Sequence, residues 1–528
     1  MPQIKLRYPG GLLTIVLLSS LLLSACGDDP NTRTLTLSSA TASLTSTSTP
    51  DQTTVSSTAT TGAGAQVTAT PVIVNTVPAQ TTAAPTGGIL PTPAVSPTPR
   101  ATATPRPGIK APQGFPGKLA MLGADNALYI TRFDGSQPVV AMGNAGTVAT
   151  QNQDGMIIQW PTWSKDGSKL AAISLNIKGG QVENSDVIVT NGDGKNPVKV
   201  QEAIPSPPIF ISWSPDSSLL SVLVRGSGQN TPLELRLLDT GANLNAAKAS
   251  QRKVAEGAAV YTGWSPDSQQ LLIHSSTTAA DSALSLLTAK DSQAQPTALK
   301  VTPSLFRTPA FSADGTRLAF AVSNNQSGNE DIYLQDKTGK DAGKLDTGGK
   351  GASFNWSPVD SKLAFSHMVE GSQGLYKGIS LAEIDPKAPP ATAPKTSVLV
   401  DEEIAAFFWS PDGTKIAYVT LNETGNLLAW KVYDLGTKKS SAIADWYPSD
   451  IWIQLINFFD QYAQSNSIWA PDSKTLVFGG LSKEDVTALS QASTQSDIPP
   501  KIYLLQVDGS NAGKAQEVAY GSLAFWSK

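Results

Sequence analysis

One short motif fixes what this chain can fold into. An aromatic residue followed by Ser-Pro-Asp and then Gly or Ser recurs along it. The motif reads Trp163-Ser164-Lys165-Asp166-Gly167, Trp213-Ser214-Pro215-Asp216-Ser217, Trp264-Ser265-Pro266-Asp267-Ser268 and Phe311-Ser312-Ala313-Asp314-Gly315. It continues as Trp356-Ser357-Pro358-Val359-Asp360, Trp409-Ser410-Pro411-Asp412-Gly413 and Trp469-Ala470-Pro471-Asp472-Ser473, and the chain stops at Trp526-Ser527-Lys528. Successive aromatics are 50, 51, 47, 45, 53, 60 and 57 residues apart. A period near 50 with several strands per unit is the pattern of a β-propeller.

Each unit reads as four strands. An apolar run enters the aromatic, as in Ile209-Phe210-Ile211-Ser212-Trp213. The Pro-Asp segment is a tight turn, in which Pro presets φ, Asp bonds to nearby backbone, and Gly or Ser takes the last position. A β-rich run follows, such as Leu318-Ala319-Phe320-Ala321-Val322, then a third such as Asp331-Ile332-Tyr333-Leu334, then a weaker fourth such as Ser397-Val398-Leu399-Val400. Alternation and flanking turn residues favour strands over helices. Trp356 carries its Asp one place late, at Asp360, so an altered turn is expected there.

The ends complement one another. Lys118 to Leu122 and Ala127 to Ile130 resemble second and third strands with no motif before them, whereas Ser522 to Trp526 resembles a first strand with nothing after it. Together they make one blade, and pairing the ends removes an open sheet edge. The expectation is an all-β propeller over 109–528 with eight four-stranded blades, seven being the alternative count, closed by pairing of its N- and C-terminal strands. The repeats resemble the TolB-like, or PD40, class of WD40-like propellers, in which Trp-Ser-Pro-Asp-Gly recurs in each blade. The resemblance covers about Gly117 to Lys528. It implies the fold rather than a function, since such propellers carry many functions. TolB itself has a separate α/β domain before a six-bladed propeller, and this chain has neither feature, so Tol–Pal function is not carried over.

The N-terminus reads as an address. Lys5 and Arg7 precede an apolar core from Leu12 to Leu23, too short for a comfortable membrane span and placed as a secretory signal. The segment ends in Leu23-Ser24-Ala25-Cys26, which resembles a bacterial lipobox, and Cys26 is the single cysteine. Residues 1–25 are therefore expected to be a lipoprotein signal peptide, with Cys26 lipidated and the mature chain anchored to the membrane on its extracytoplasmic side. Between Asn31 and Gly108, 52 of 78 residues are Thr, Ser, Ala or Pro, and no aromatic occurs between Tyr8 and Phe115. Such a segment buries too little apolar surface to offset its ordering entropy, so 26–108 is expected to be a disordered stalk with a reach on the order of 200 Å.

Composition narrows the chemistry. With 39 basic and 43 acidic residues the net charge is −4, which argues against a nucleic-acid partner. Two histidines and one cysteine exclude an internal disulfide and leave no residues for a Cys/His zinc site or, once Cys26 is lipidated, for a Cys–His catalytic pair. There is no Gly-x-Ser-x-Gly elbow, no phosphate-binding loop and no dinucleotide fingerprint, so neither a cofactor nor a metal is expected. His274 and His367 sit in second-strand positions and read as ordinary strand or loop residues.

One segment breaks the repeat. Between Trp446 and Tyr462 lie six aromatics in 17 residues: Trp446, Tyr447, Trp452, Phe458, Phe459 and Tyr462. Ser449 or Asp450 can cap a short helix there, with Trp452, Ile456 and Phe459 on one face. In a propeller this insertion shares a face with the loops between second and third strands. These six residues are the candidate contacts for a protein, peptide or glycan ligand on that face; otherwise the insertion plugs the ring and buries them. The expected role is non-enzymatic binding at the cell envelope. The alternative is a glycan- or peptide-acting enzyme with its site at the propeller mouth, to which Asp401, Glu402 and Glu403 would contribute paired acids.

Overall fold

The computed structural model describes residues 108–527 apart from 111, 144–153, 205, 227–230, 242–250, 278–280, 305–306, 325–326, 339–342, 373 and 492–497. The expected signal peptide, Cys26 and the stalk up to residue 107 lie outside the described residues.

Among the described residues the repeats fold as eight antiparallel four-stranded blades. Blade 2 comprises Gly155–Trp163, Lys169–Lys178, Gln181–Asn191 and Val198–Ile204, and blades 3 to 6 repeat that order from Pro208 to Val400. The remaining strands form one continuous run of ten. In it, blade 7 is Ala406–Trp409, Lys415–Leu421, Leu428–Asp434 and Lys439–Pro448. Blade 8 opens at the Trp469↔Leu476 bridge and continues through Thr475–Ser482, Lys501–Gln506 and the first half of Ala515–Trp526. The second half of that last strand pairs with Lys118–Gly123, placing Leu119 opposite Trp526, Ala120 opposite Phe525 and Met121 opposite Ala524. Leu128–Arg132 and Val139–Met142 complete blade 1. The last strand thus serves two blades, and both chain ends share the first.

Second strands are buried along nearly their whole length rather than on alternate residues. In Leu219–Arg225, six successive residues are buried. Each blade is covered on both faces by its neighbours, so both sides of the pleat need apolar side chains. Outer strands keep polar exposure, as in Lys395–Val400, whose first four residues are exposed.

The motif aromatics join the blades. Each indole N–H reaches the residue just before the aromatic of the preceding blade. Trp163 donates to the Phe525 carbonyl (3.1 Å), Trp213 to Thr162 (3.0 Å), Trp356 to Ala310 (3.3 Å), Trp409 to Asn355 (3.0 Å) and Trp469 to Phe408 (3.2 Å). Trp264 uses the Ser212 hydroxyl instead (3.2 Å). These are buried donors that would otherwise go unpaired. Between blades 8 and 1 the pattern changes: the Trp526 indole N–H is buried without a partner, and the Trp526 backbone N–H donates to the Ser467 carbonyl (2.9 Å).

The turns hold as the motif implies. In blade 3, Ser214 Oγ donates to Asp216 Oδ1 (2.7 Å) and accepts from the Leu219 N–H (2.9 Å). The fifth motif position has positive φ in Gly167, Gly315 and Gly413, and also in Ser217, Ser268 and Ser473. A non-glycine residue there is strained. All three serines compensate by bonding to the preceding blade. Ser217 Oγ donates to Asp166 (2.9 Å), while Ser268 Oγ accepts from the Asp216 N–H (2.9 Å) and Ser473 Oγ from the Asp412 N–H (3.1 Å). The late-Asp turn of blade 6 is altered: Val359 bonds back to Ser357, Asp360 pairs with Lys362, and Ser361 makes the link to Asp314 (3.3 Å).

Candidate functional site

The insertion after blade 7 is two short helices, α1 (Asp450–Asn457) and α2 (Phe459–Ser465), broken at Phe458. The single helical face expected through Trp452, Ile456 and Phe459 is therefore split. Ser449 holds the N-cap position, but its hydroxyl donates to the Ser522 carbonyl (2.7 Å) rather than capping the helix.

This insertion is a plug. Its second helix packs against the first strands of blades 3, 4, 6 and 7, which face one another across the ring. Tyr462 stacks on Trp160 of blade 2 at 4.4 Å and meets Phe210 of blade 3 edge-on at 5.6 Å. Phe459 contacts Phe407 at 4.9 Å and Tyr376 at 5.6 Å. Asn466 Nδ2 donates to the Pro161 carbonyl (3.0 Å). Trp446 and Trp452 lie to the side in a cluster with Trp430 and Phe478. Trp446, Trp452, Phe459 and Tyr462 are all buried, and Tyr447 and Phe458 are half-buried. This corrects the expectation of an exposed aromatic face, because four of its six side chains touch only protein. The bore of a closed ring widens with the number of its units, and here apolar rings from the insertion fill it.

The plug leaves a blind funnel on the opposite side. The cavity is about 500 Å³ and is built from the repeat motif itself. Its wall is the seven motif aromatics, from Trp163 to Trp469. Its rim carries the third residue of each of those motifs, and its floor is the stretch from Ala463 to Ile468 at the end of the plug. Six of the seven rim positions are Pro or Ala; the seventh is Lys165, the one charged residue in the lining. Sequence reasoning assigned the motif residues to packing and turns and missed that they also surround an open volume. The usable signal was their recurrence at the axial end of every first strand.

The other candidates lie elsewhere. Glu402 accepts from the Tyr418 hydroxyl (2.8 Å) and pairs with Lys431 (2.6 Å), while Asp401 and Glu403 are exposed. None of the three lines the funnel. His274 is buried between the Arg307 carbonyl (2.8 Å) and Ser282 Oγ (2.9 Å), and burial pulls its pKa down to about 4. His367 Nε2 lies 2.6 Å from Asp346, and its Nδ1 is buried without a partner. Hydrogen bonding to His367 holds the Asp346 carboxyl below its ordinary range. Among the described residues no group of three or more His, Cys, Asp or Glu side chains is placed to hold a metal ion.

Fold and cavity together define an eight-bladed β-propeller with a plugged bore. No protein-family model matches the chain, and no curated protein sequence is similar to it. Similar solved structures share the fold alone. A prolyl endopeptidase is 14% identical with a TM-score of 0.47, matched over 71% of this chain and 51% of its own. An oligogalacturonate lyase in complex with manganese is 14% identical with a TM-score of 0.44, over 76% and 97%. TolB from Acinetobacter baumannii is 14% identical with a TM-score of 0.32, over 54% and 78%. This chain thus spans about half the length of the prolyl endopeptidase. The expectation that the chain is not an enzyme is overturned: the similar propellers include enzymes, so the fold gives no ground for excluding catalysis.

Proposed function

We propose that the chain is a lipid-anchored, extracytoplasmic propeller that takes a protein, peptide or glycan group into the blind funnel on its Pro-Asp turn face. The carrying observation is the cavity of about 500 Å³, walled by aromatic and proline rings and floored by the plug. Ligand sites are typically concave, mostly apolar clefts of about 300–1,000 Å³ with a few placed polar groups. The Ser24-Ala25-Cys26 signal and the Thr/Pro-rich stalk support a position at the membrane surface with the propeller held away from it.

The test uses the full chain and the neutral fluorophore N-phenyl-1-naphthylamine. Saturable single-site binding is expected, and it should be lost in Ala313→Trp, which places bulk at the rim without touching the plug. Binding that is absent, or equal in both proteins, overturns the funnel as a site. Radiolabelled palmitate incorporated by the wild type but not by Cys26→Ala tests the anchor separately.

A further inference from the structure

Seven repeats contribute equivalent residues to the funnel, so any departure from their symmetry marks a direction within it. At the third motif position, six blades present Pro215, Pro266, Ala313, Pro358, Pro411 and Pro471, and blade 2 presents Lys165. The rim is otherwise apolar, and no acidic residue lines the cavity. Lys165 is exposed, and among the described residues it forms no ion pair. Its closest acidic neighbour in sequence, Asp166, is engaged elsewhere: its carboxylate accepts from Ser164 (2.7 Å), Ser168 (2.7 Å) and Ser217 (2.9 Å).

Three other lysines near this face are committed to protein acceptors. Lys118 Nζ donates to the Gly167 and Gly192 carbonyls (2.6 and 2.9 Å). Lys169 Nζ donates to the Ser217 and Gly241 carbonyls (3.0 and 2.9 Å). Lys290 pairs with Asp216 at 2.5 Å. A cation at the mouth of a cavity whose lining holds no other charge favours one sign of charge in what it binds. The lining also holds neutral polar side chains, among them Ser212, Thr262, Asn355, Gln464 and Asn466.

We propose that the group bound in the funnel is an apolar or aromatic body bearing a single anionic substituent, a carboxylate, sulfate or phosphate, held by Lys165 Nζ at the blade 2 side of the rim. This rests on the funnel being the binding site and names the ligand chemistry it selects. Proline and tryptophan rings take the apolar body without directional demands, whereas one ammonium at one of seven equivalent positions orients it. A charge-assisted hydrogen bond of this kind is worth roughly tenfold or more in affinity.

The experiment compares two probes of nearly the same shape on the full chain: 8-anilinonaphthalene-1-sulfonate, an anion, and N-phenyl-1-naphthylamine, which is neutral. The wild type should hold the sulfonate about tenfold more tightly than the neutral probe. Lys165→Ala should lower sulfonate affinity about tenfold and leave the neutral probe unchanged, while Lys165→Arg retains the preference. An anion-to-neutral ratio that does not change in Lys165→Ala, with both probes still displaced by Ala313→Trp, overturns the anion reading and keeps the funnel. If neither probe binds, or Ala313→Trp changes nothing, the funnel itself fails as a site and this inference fails with it.

Discussion

At the scale of single residues, the turns show how the fold pays back local strain across blade boundaries. Ser268 sits at φ 62°, a conformation that favours glycine, and holds it by accepting the Asp216 N–H. Ser268→Ala keeps the strain and loses the bond, so it should cost about 1 kcal/mol of stability, read as a shift in the thermal midpoint. Ser268→Gly relieves the strain while losing the same bond and should cost less. The Asp residues of these turns add a pH dependence. Burial works against the charged form of Asp166, yet hydrogen bonds from Ser164, Ser168 and Ser217 hold its pKa at about 2, below the ordinary 3.8. Asp216, Asp314 and Asp412 are likewise lowered against burial, and Asp267 is lowered chiefly by Ser265. A carboxyl with a depressed folded pKa stabilises fully above its unfolded value and loses that contribution as pH falls through the folded one. The thermal midpoint, followed by tryptophan fluorescence, should therefore fall as pH drops from about 4 to about 2. His274 acts at higher pH. Its value of about 4 against 6.5 means the unfolded chain takes the proton first, so stability on the order of 3 kcal/mol is lost as pH falls from 6.5 to 4. His274→Gln should flatten thermal stability across that window.

At the scale of elements, the plug decides the site. Without α1 and α2 the ring would be an open bore; with them it is a funnel closed at one end. Tyr462 is the pivot, stacked on Trp160 and set edge-on to Phe210. Trp160 itself is held at φ 50°, an uncommon conformation for a bulky residue, at a break in register between Gln159 and Thr162. That break turns the indole toward the plug. Tyr462→Ala should cost about 3 kcal/mol, seen as a lower thermal midpoint. It should also enlarge the funnel from below, so that the neutral naphthylamine probe binds with altered affinity while the blade signal in circular dichroism persists.

At the scale of the whole molecule, blade 1 joins the two ends. The strand Ala515–Trp526 pairs with Lys501–Gln506 through its first half and with Lys118–Gly123 through its second, and its Phe525 carbonyl accepts the Trp163 indole. Deleting Leu523 to Lys528 removes that acceptor and bares the edge of Lys118–Gly123. Loss of the folded monomer, with aggregates on size exclusion, is the expected result.

The number of blades, their order and the shared first blade were legible in the sequence, because a motif near 50-residue spacing records a unit that packs only against copies of itself. The bond of Asp216 to nearby backbone was equally legible, since it is local (the Ser218 N–H, 3.2 Å), whereas the bond of Ser217 to Asp166 crosses to the preceding blade and was not. The fate of Trp446, Trp452, Phe459 and Tyr462 was not. An amphipathic aromatic segment reads the same whether it faces a partner or the protein's own interior, and only closure of the ring creates the bore that this one fills. Lys165 likewise reads as a turn residue. Its isolation among six apolar equivalents gains meaning only once the blades bring all seven positions around one opening, because a charge is felt through distances in space and not through spacing along the chain.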